Sequence, residues 1–145
     1  MIDPARLREI SDKQPEFARH LGIRLVSAEQ NRVEMELPVT MALSNRNGVM
    51  HGGAILGLTD NAGGTAASIN LAPDENTVTI ESKVNFLRPI RIDDVARAVA
   101  VPVHIGSTTQ IWEITVTRGD GKVAARVTQT QMTLAWKDPA PAPAG

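Results

Sequence analysis

The sequence predicts an α+β domain in which an antiparallel sheet wraps around one long central helix. Three observations carry this. The segment from about Gly52 to Leu71 is the single long stretch with helical apolar spacing. Four long segments of strand character follow it, two of their connections being the compact, glycine-bearing "IGS" and "RGDGK". Two alternating segments and a short helical region precede it. Runs of strands on either side of one buried helix form an α+β pattern rather than a strict helix-strand alternation.

The elements can be taken in order. Between Pro4 and about His20, Leu7, Ile10 and Phe17 recur at helical spacing, and Pro4 suits a first helical turn. Pro15 should break or kink this region, and Gly22 marks its end. "IRLVSAEQ" and "RVEMELPV" then read as two strands, because Val33, Met35 and Leu37 alternate with Arg32, Glu34 and Glu36; their hairpin turn falls at 30–32. In the central helix Ala54, Ile55, Leu58, Ala62, Ala66 and Ile69 fall on or near one stripe. Gly63 and Gly64 sit in its interior, where each costs about 0.5–1 kcal/mol relative to alanine. Close approach of another backbone is the expected compensation. The strands expected after it are 77–87, 95–105, 108–118 and 122–136, running as a meander. Residues 1–136 form a single domain in this reading, and the Pro/Ala-rich 137–145 a disordered tail. Long exposed edges of such a sheet invite pairing with a second copy.

Bulk properties exclude several function classes. A chain of 145 residues with a net charge of -1 and no basic run has nothing to draw it to nucleic acid or anionic lipid. The absence of cysteine removes disulfides, thiolate metal sites and a cysteine nucleophile. His20 and His104 have no ligand partners at a suitable spacing, so no metal is expected. "MIDPARLREI" carries charges where a signal peptide needs an apolar core, no stretch approaches a membrane span, and a cytoplasmic location is expected.

The chemistry-bearing residues cluster in "NRNGVMHGGAILGLTDNAGGTAAS", 45–68. At the helix entrance His51, Gly52 and Gly53 should present backbone N–H groups without helical partners, in the positive field of the helix N-terminus. Glycine lets a ligand approach them, which suits a carbonyl oxygen that becomes an oxyanion. Asn45 adds an amide six residues earlier, and Asp60 puts one carboxylate into an otherwise apolar helix, where it can act as a base on water or as a nucleophile. Asp60 lies eight residues beyond Gly52, about 12 Å along one helix at about 1.5 Å per residue. A reacting carbonyl needs its donors and its attacker within about 3 Å. Either Asp60 is not catalytic, or the two halves come from different subunits of a dimer.

"NRNGVMHGGAILGLTDNA" followed by "TVTIESKVNFLRPI" resembles the hotdog-fold thioesterases, in the branch named for phenylacetic acid degradation (PaaI-like). The resemblance spans roughly residues 21–136. It implies edge-to-edge homodimers with shared active sites, often pairs of dimers forming a homotetramer, and hydrolysis of acyl-coenzyme A without metal or cofactor, coenzyme A being part of the substrate. Carried over by position, Asp60 is the attacking or water-activating carboxylate and the Gly52 N–H polarises the thioester carbonyl. Asn45 and His51 assist, and the hydroxyl of Thr79 orients the water. Gly53 would lie against the substrate, and Arg88 and Arg91 could meet the coenzyme A phosphates. Two other functions on the same fold compete: a non-catalytic acyl-CoA sensor, which needs no attacking carboxylate, and a hydratase or dehydratase. The scarcity of aromatic residues, two Phe, two Trp and no Tyr, favours an aliphatic-lined acyl pocket.

Overall fold

The computed structural model describes residues 3–136. The expected tail at 137–145 lies outside them. Two short helices open the chain, α1 at Pro4–Asp12 and α2 at Glu16–Leu21. Pro15 divides them and serves as the N-cap of α2, and Gly22 ends α2 in the left-handed region at φ 87°. Strands β1 (Arg24–Glu29) and β2 (Arg32–Pro38) form the expected hairpin; a 3-10 turn at Met41–Leu43 and a loop lead to the central helix α3, Gly52–Ser68. The remaining strands are β3 (Glu75–Phe86), β4 (Val95–Ile105), β5 (Thr109–Thr117) and β6 (Val123–Ala135).

All six strands join one sheet in the order β1-β2-β4-β5-β6-β3, and every neighbouring pair is antiparallel. The sheet curls around α3. Its inner face carries Val33, Met35 and Leu37 of β2, and Trp112, Ile114 and Val116 of β5, all fully buried. Between them β4 presents only Ala96, Ala98 and Ala100, which leaves room for the helix to lie close. The helix answers with Ile55, Leu58, Ala62 and Ala66 on its buried stripe. Burying a side chain such as Leu58 is worth about 1.5–3 kcal/mol.

The expected four-strand meander is corrected in one respect. Only β4, β5 and β6 are sequential neighbours; β3 crosses to the far edge and pairs with β6 from Glu75↔Ala135 to Phe86↔Ala125. The connection at 87–94 carries the chain back to β4: Leu87 and Arg88 donate their N–H groups to Ala124 O at the start of β6, and Val49 bridges to Arg91. Adjacency in sequence sets strand pairing only where the connection is a tight hairpin, and this one is not.

Gly63 and Gly64 of α3 also differ from expectation, since side-chain atoms stand nearest a Cβ at the first and nothing stands near one at the second. A Cβ on Gly63 would stand 1.7 Å from Gln129 Oε1, so what needs the space is a buried side chain of β6. A Cβ on Gly64 would meet nothing within 4 Å, because that residue opens onto a groove. No helix among the described residues is long and apolar enough to cross a membrane.

Candidate active site

The entrance of α3 is built by His51, whose extended backbone (φ −66°, ψ 138°) makes it the N-cap. Its ring folds back so that Nδ1 accepts from Gly53 N at 2.8 Å, a capping role more often filled by Ser, Thr, Asn or Asp. Its own N–H donates to Leu43 O at 2.7 Å. Two of the three N–H groups expected to be free are therefore engaged, including that of Gly53. Gly52 keeps an N–H with no protein acceptor among the described residues. With Nδ1 accepting, the neutral ring carries its proton on Nε2, a second outward donor.

Asn45 shapes the approach to this entrance. Its Oδ1 accepts from Asn47 N at 2.9 Å and Val49 N at 3.3 Å, and Gly48 turns the loop at φ 72°. The amide oxygen is thus committed to the loop, while Nδ2 has no protein acceptor among the described residues. What Asn45 can offer a ligand is a donor.

Asp60 lies further along α3 and faces β3 and β6. Thr79 Oγ1 donates to its Oδ1 at 2.8 Å, and Gln129 Nε2 donates to the same oxygen at 2.6 Å. Oδ2 has no protein donor among the described residues. Thr79 in turn accepts from Gln131 Nε2 at 2.7 Å, and Gln131 Oε1 accepts from Thr77 Oγ1 at 2.9 Å. Gln129 Nε2 also donates to Ser82 Oγ at 3.0 Å.

A β-bulge brings these groups to one face. Thr79 and Ser82 are three residues apart and would point to opposite faces of a regular strand. The register shift between Thr79 and Glu81 absorbs one residue, so Thr79 pairs with Gln131 and Ser82 with Gln129, two inward residues of β6. The sequence reading found Thr79 but missed Thr77, Ser82, Gln129 and Gln131. Their signal is the inward row of β6, where Ala125 and Val127 are followed by Gln129 and Gln131, both buried.

Asp60, Gly64 and Thr79 line a groove of about 750 Å³ whose far wall is α1. On that wall Glu9 holds Arg6 Nη1 at 2.6 Å and Lys13 Nζ at 2.7 Å; the two cations pull its carboxyl down to about 2. Asn61, Thr65, Ser68 and Asn76 line the groove beside Ile10 and Ile69. Polar and apolar atoms share the lining of this groove.

The entrance of α3 and the groove beside its middle present separate halves. Neither Asn45, His51, Gly52 nor Gly53 lines the Asp60 groove, and neither do Arg88 and Arg91. Arg88 Nη1 donates to Val123 O at 2.7 Å and ties the start of β6. Arg91 borders a smaller recess of about 310 Å³ with Asp94, Arg118 and Asp120, and has no ion pair among the described residues.

The family model described as the thioesterase superfamily matches residues 47–125, more than half of the chain, and includes His51, Gly52, Asp60 and Thr79 but not Asn45, Gln129 or Gln131. A Saccharolobus solfataricus protein described as an esterase is 34% identical over 128 residues, covering 87% of this chain and 89% of its own. The 1,4-dihydroxy-2-naphthoyl-CoA hydrolase of Listeria monocytogenes is 34% identical over 97 residues, covering 67% and 78%. A solved thioesterase of Haemophilus influenzae superposes with a TM-score of 0.82 at 25% identity, covering 89% of this chain and 90% of its own. With the sheet wrapped around α3, these matches place the chain in the thioesterase superfamily, as a thioester hydrolase of the hotdog fold.

Proposed function

We propose that this enzyme hydrolyses acyl-coenzyme A thioesters and that Asp60 supplies the reacting carboxylate. One observation carries the proposal. Both protein donors to Asp60 go to Oδ1, while Oδ2 has none and the residue lines a groove large enough for an acyl group. A carboxylate fixed by one oxygen, with the other open to the groove, can reach a water or an acyl carbon there. The Listeria relative, whose name gives a coenzyme A thioester as its substrate, supports this substrate class.

In the proposed reaction the thioester carbonyl oxygen accepts from the Gly52 N–H at the positive end of α3, with Asn45 Nδ2 and His51 Nε2 as further donors. The carboxylate takes a proton from water as the water oxygen bonds to the acyl carbon, or bonds to that carbon itself to give an anhydride that water then opens. The C–S bond breaks, and the departing thiolate takes up a proton. Thr79 and Gln129 hold Asp60 in its orientation through Oδ1. No cofactor or metal is needed. Arg91 is a better candidate than Arg88 for a coenzyme A phosphate, since Arg88 already holds a carbonyl.

Gly52 and Asp60 belong to one 17-residue helix, about 12 Å apart along its axis. Each site therefore takes Asp60 from one subunit and Asn45 with Gly52 from another. The outer side of β3, a twelve-residue edge strand with Val78 and Ile80 exposed, is the proposed dimer edge, and a pair of such dimers is the proposed assembly.

The test is a panel of acyl-CoA thioesters, aliphatic and aromatic, assayed for free thiol with wild type and Asp60→Asn. Turnover of some member, lost in the variant, is expected. Absence of thiol release across the panel, or undiminished turnover by the variant, would overturn the proposal. Label found in Asp60 after a single turnover in heavy-oxygen water identifies an anhydride opened at the Asp60 carboxyl carbon.

A further inference from the structure

We infer that Gln129 and Gln131 are positioning residues, two buried amides of β6 that tie one oxygen of Asp60 and leave the other to react. This rests on the reading of Asp60 as the reacting carboxylate. Both amides occupy the inward row of β6, where Ala125 and Val127 precede them and an apolar side chain would be the simplest filling. A buried amide is costly unless its polar atoms are bonded. Gln129 does not meet that condition: its Oε1 is buried without a partner, while its Nε2 is turned to Asp60. A residue kept for packing would not retain this orphan.

The bonds around Gln131 point the same way. Thr77 Oγ1 donates to Gln131 Oε1, Gln131 Nε2 donates to Thr79 Oγ1, and Thr79 Oγ1 donates to Asp60 Oδ1. Every link donates toward the carboxylate, and such a chain is strongest when it ends on a charged acceptor. Space is reserved as well, since any side chain at Gly63 would strike Gln129 Oε1. The third buried glutamine supplies a contrast. Gln110 bonds Ala67 O and Trp112 and has no link to Asp60.

The charged groups that share the groove with Asp60 are Arg6 and Glu9 of α1 and Lys13 at its C-cap, paired among themselves through Glu9. The variants below leave them in place.

The test follows the Asp60 carboxyl directly. The full chain is labelled with carbon-13 at the aspartate carboxyl carbons, and the Asp60 signal is assigned by its loss in Asp60→Asn. At one fixed pH, Gln129→Met and Gln131→Met should each displace that signal, because each changes the hydrogen bonds that reach Oδ1. In acyl-CoA hydrolysis kcat should fall about tenfold or more, with KM changing far less. Gln110→Met should change neither. Gly63→Ala touches Gln129 but not Asp60, so it should reproduce the Gln129→Met displacement and add little when combined with it. An Asp60 signal unmoved in folded Gln129→Met and Gln131→Met would overturn the inference. If Gln129→Met fails to fold, Gln131→Met, which reaches Asp60 only through Thr79, decides it alone by the same criterion. The carbon signal needs no turnover, so an active Asp60→Asn would remove the proposed catalysis while leaving this result to stand or fall separately.

Discussion

Asp60 and Gly52 carry opposite kinds of evidence, one a side chain and the other a main-chain group, and they call for different substitutions. Asp60→Asn keeps an oxygen for Thr79 and Gln129 to bond but removes the basic pair of electrons. The fold and substrate binding should persist while turnover falls by at least about 10²-fold, as measured by steady-state kinetics beside a melting curve. At Gly52 the N–H is the proposed donor, and the position is the first of the helix, where proline is tolerated. Alanine there brings a Cβ to 3.0 Å from Phe86 Cζ, on a ring 52% exposed that can yield. Proline brings the same Cβ and also removes the N–H, so Gly52→Pro should lose far more activity than Gly52→Ala at matched stability. Equal losses would assign Gly52 to packing. Both residues were legible in the sequence because each is out of place, a carboxylate among apolar residues and paired glycines at a helix start. Gln129 and Gln131 were not, because an alternating strand with polar residues gives no sign of which face is inward until its neighbours are known.

At the scale of elements, α3 places Gly63 and Gly64 for separate reasons, and a pair of substitutions separates them. Gly64 borders the groove with nothing within 4 Å of a Cβ, so Gly64→Ala should stabilise the helix by about 0.5–1 kcal/mol, seen as a raised Tm. The added methyl narrows the groove beside Asp60, so substrates with the bulkiest acyl groups should lose the most kcat/KM. Gly63→Ala drives a methyl into Gln129 and should lower Tm instead. A rise in Tm for both would mean that Gln129 relaxes freely. The sequence shows that both glycines are costly, but both look alike there. Their difference is set by β6, more than 60 residues away in the chain. The same limit hid the bulge at Thr79 to Glu81, which exists only as a mismatch between two paired strands. Helix limits and the hairpin were readable because their signals are local: Pro15, Gly22 and the alternation of 32–37.

At the scale of the whole molecule, the strand order leaves β3 at an edge with one side unpaired, and the proposed site is incomplete in one chain. The central helix was expected from the sequence and so was the need for a second subunit, since both follow from spacing along one element. The edge position of β3 was not, because it depends on the crossing at 87–94. A two-fold dimer formed along β3 has a consequence that can be counted. Let Asn45→Ala and Asp60→Asn each be nearly inactive, and co-express the two chains with separate tags. In a mixed dimer one site receives both lesions and the other receives neither. Random pairing makes about half of the dimers mixed, so about a quarter of all sites are intact and activity should return to about that fraction of wild type. Mixed dimers no more active than either parent would exclude a shared site, and Asp60 would then have to act with donors from its own chain.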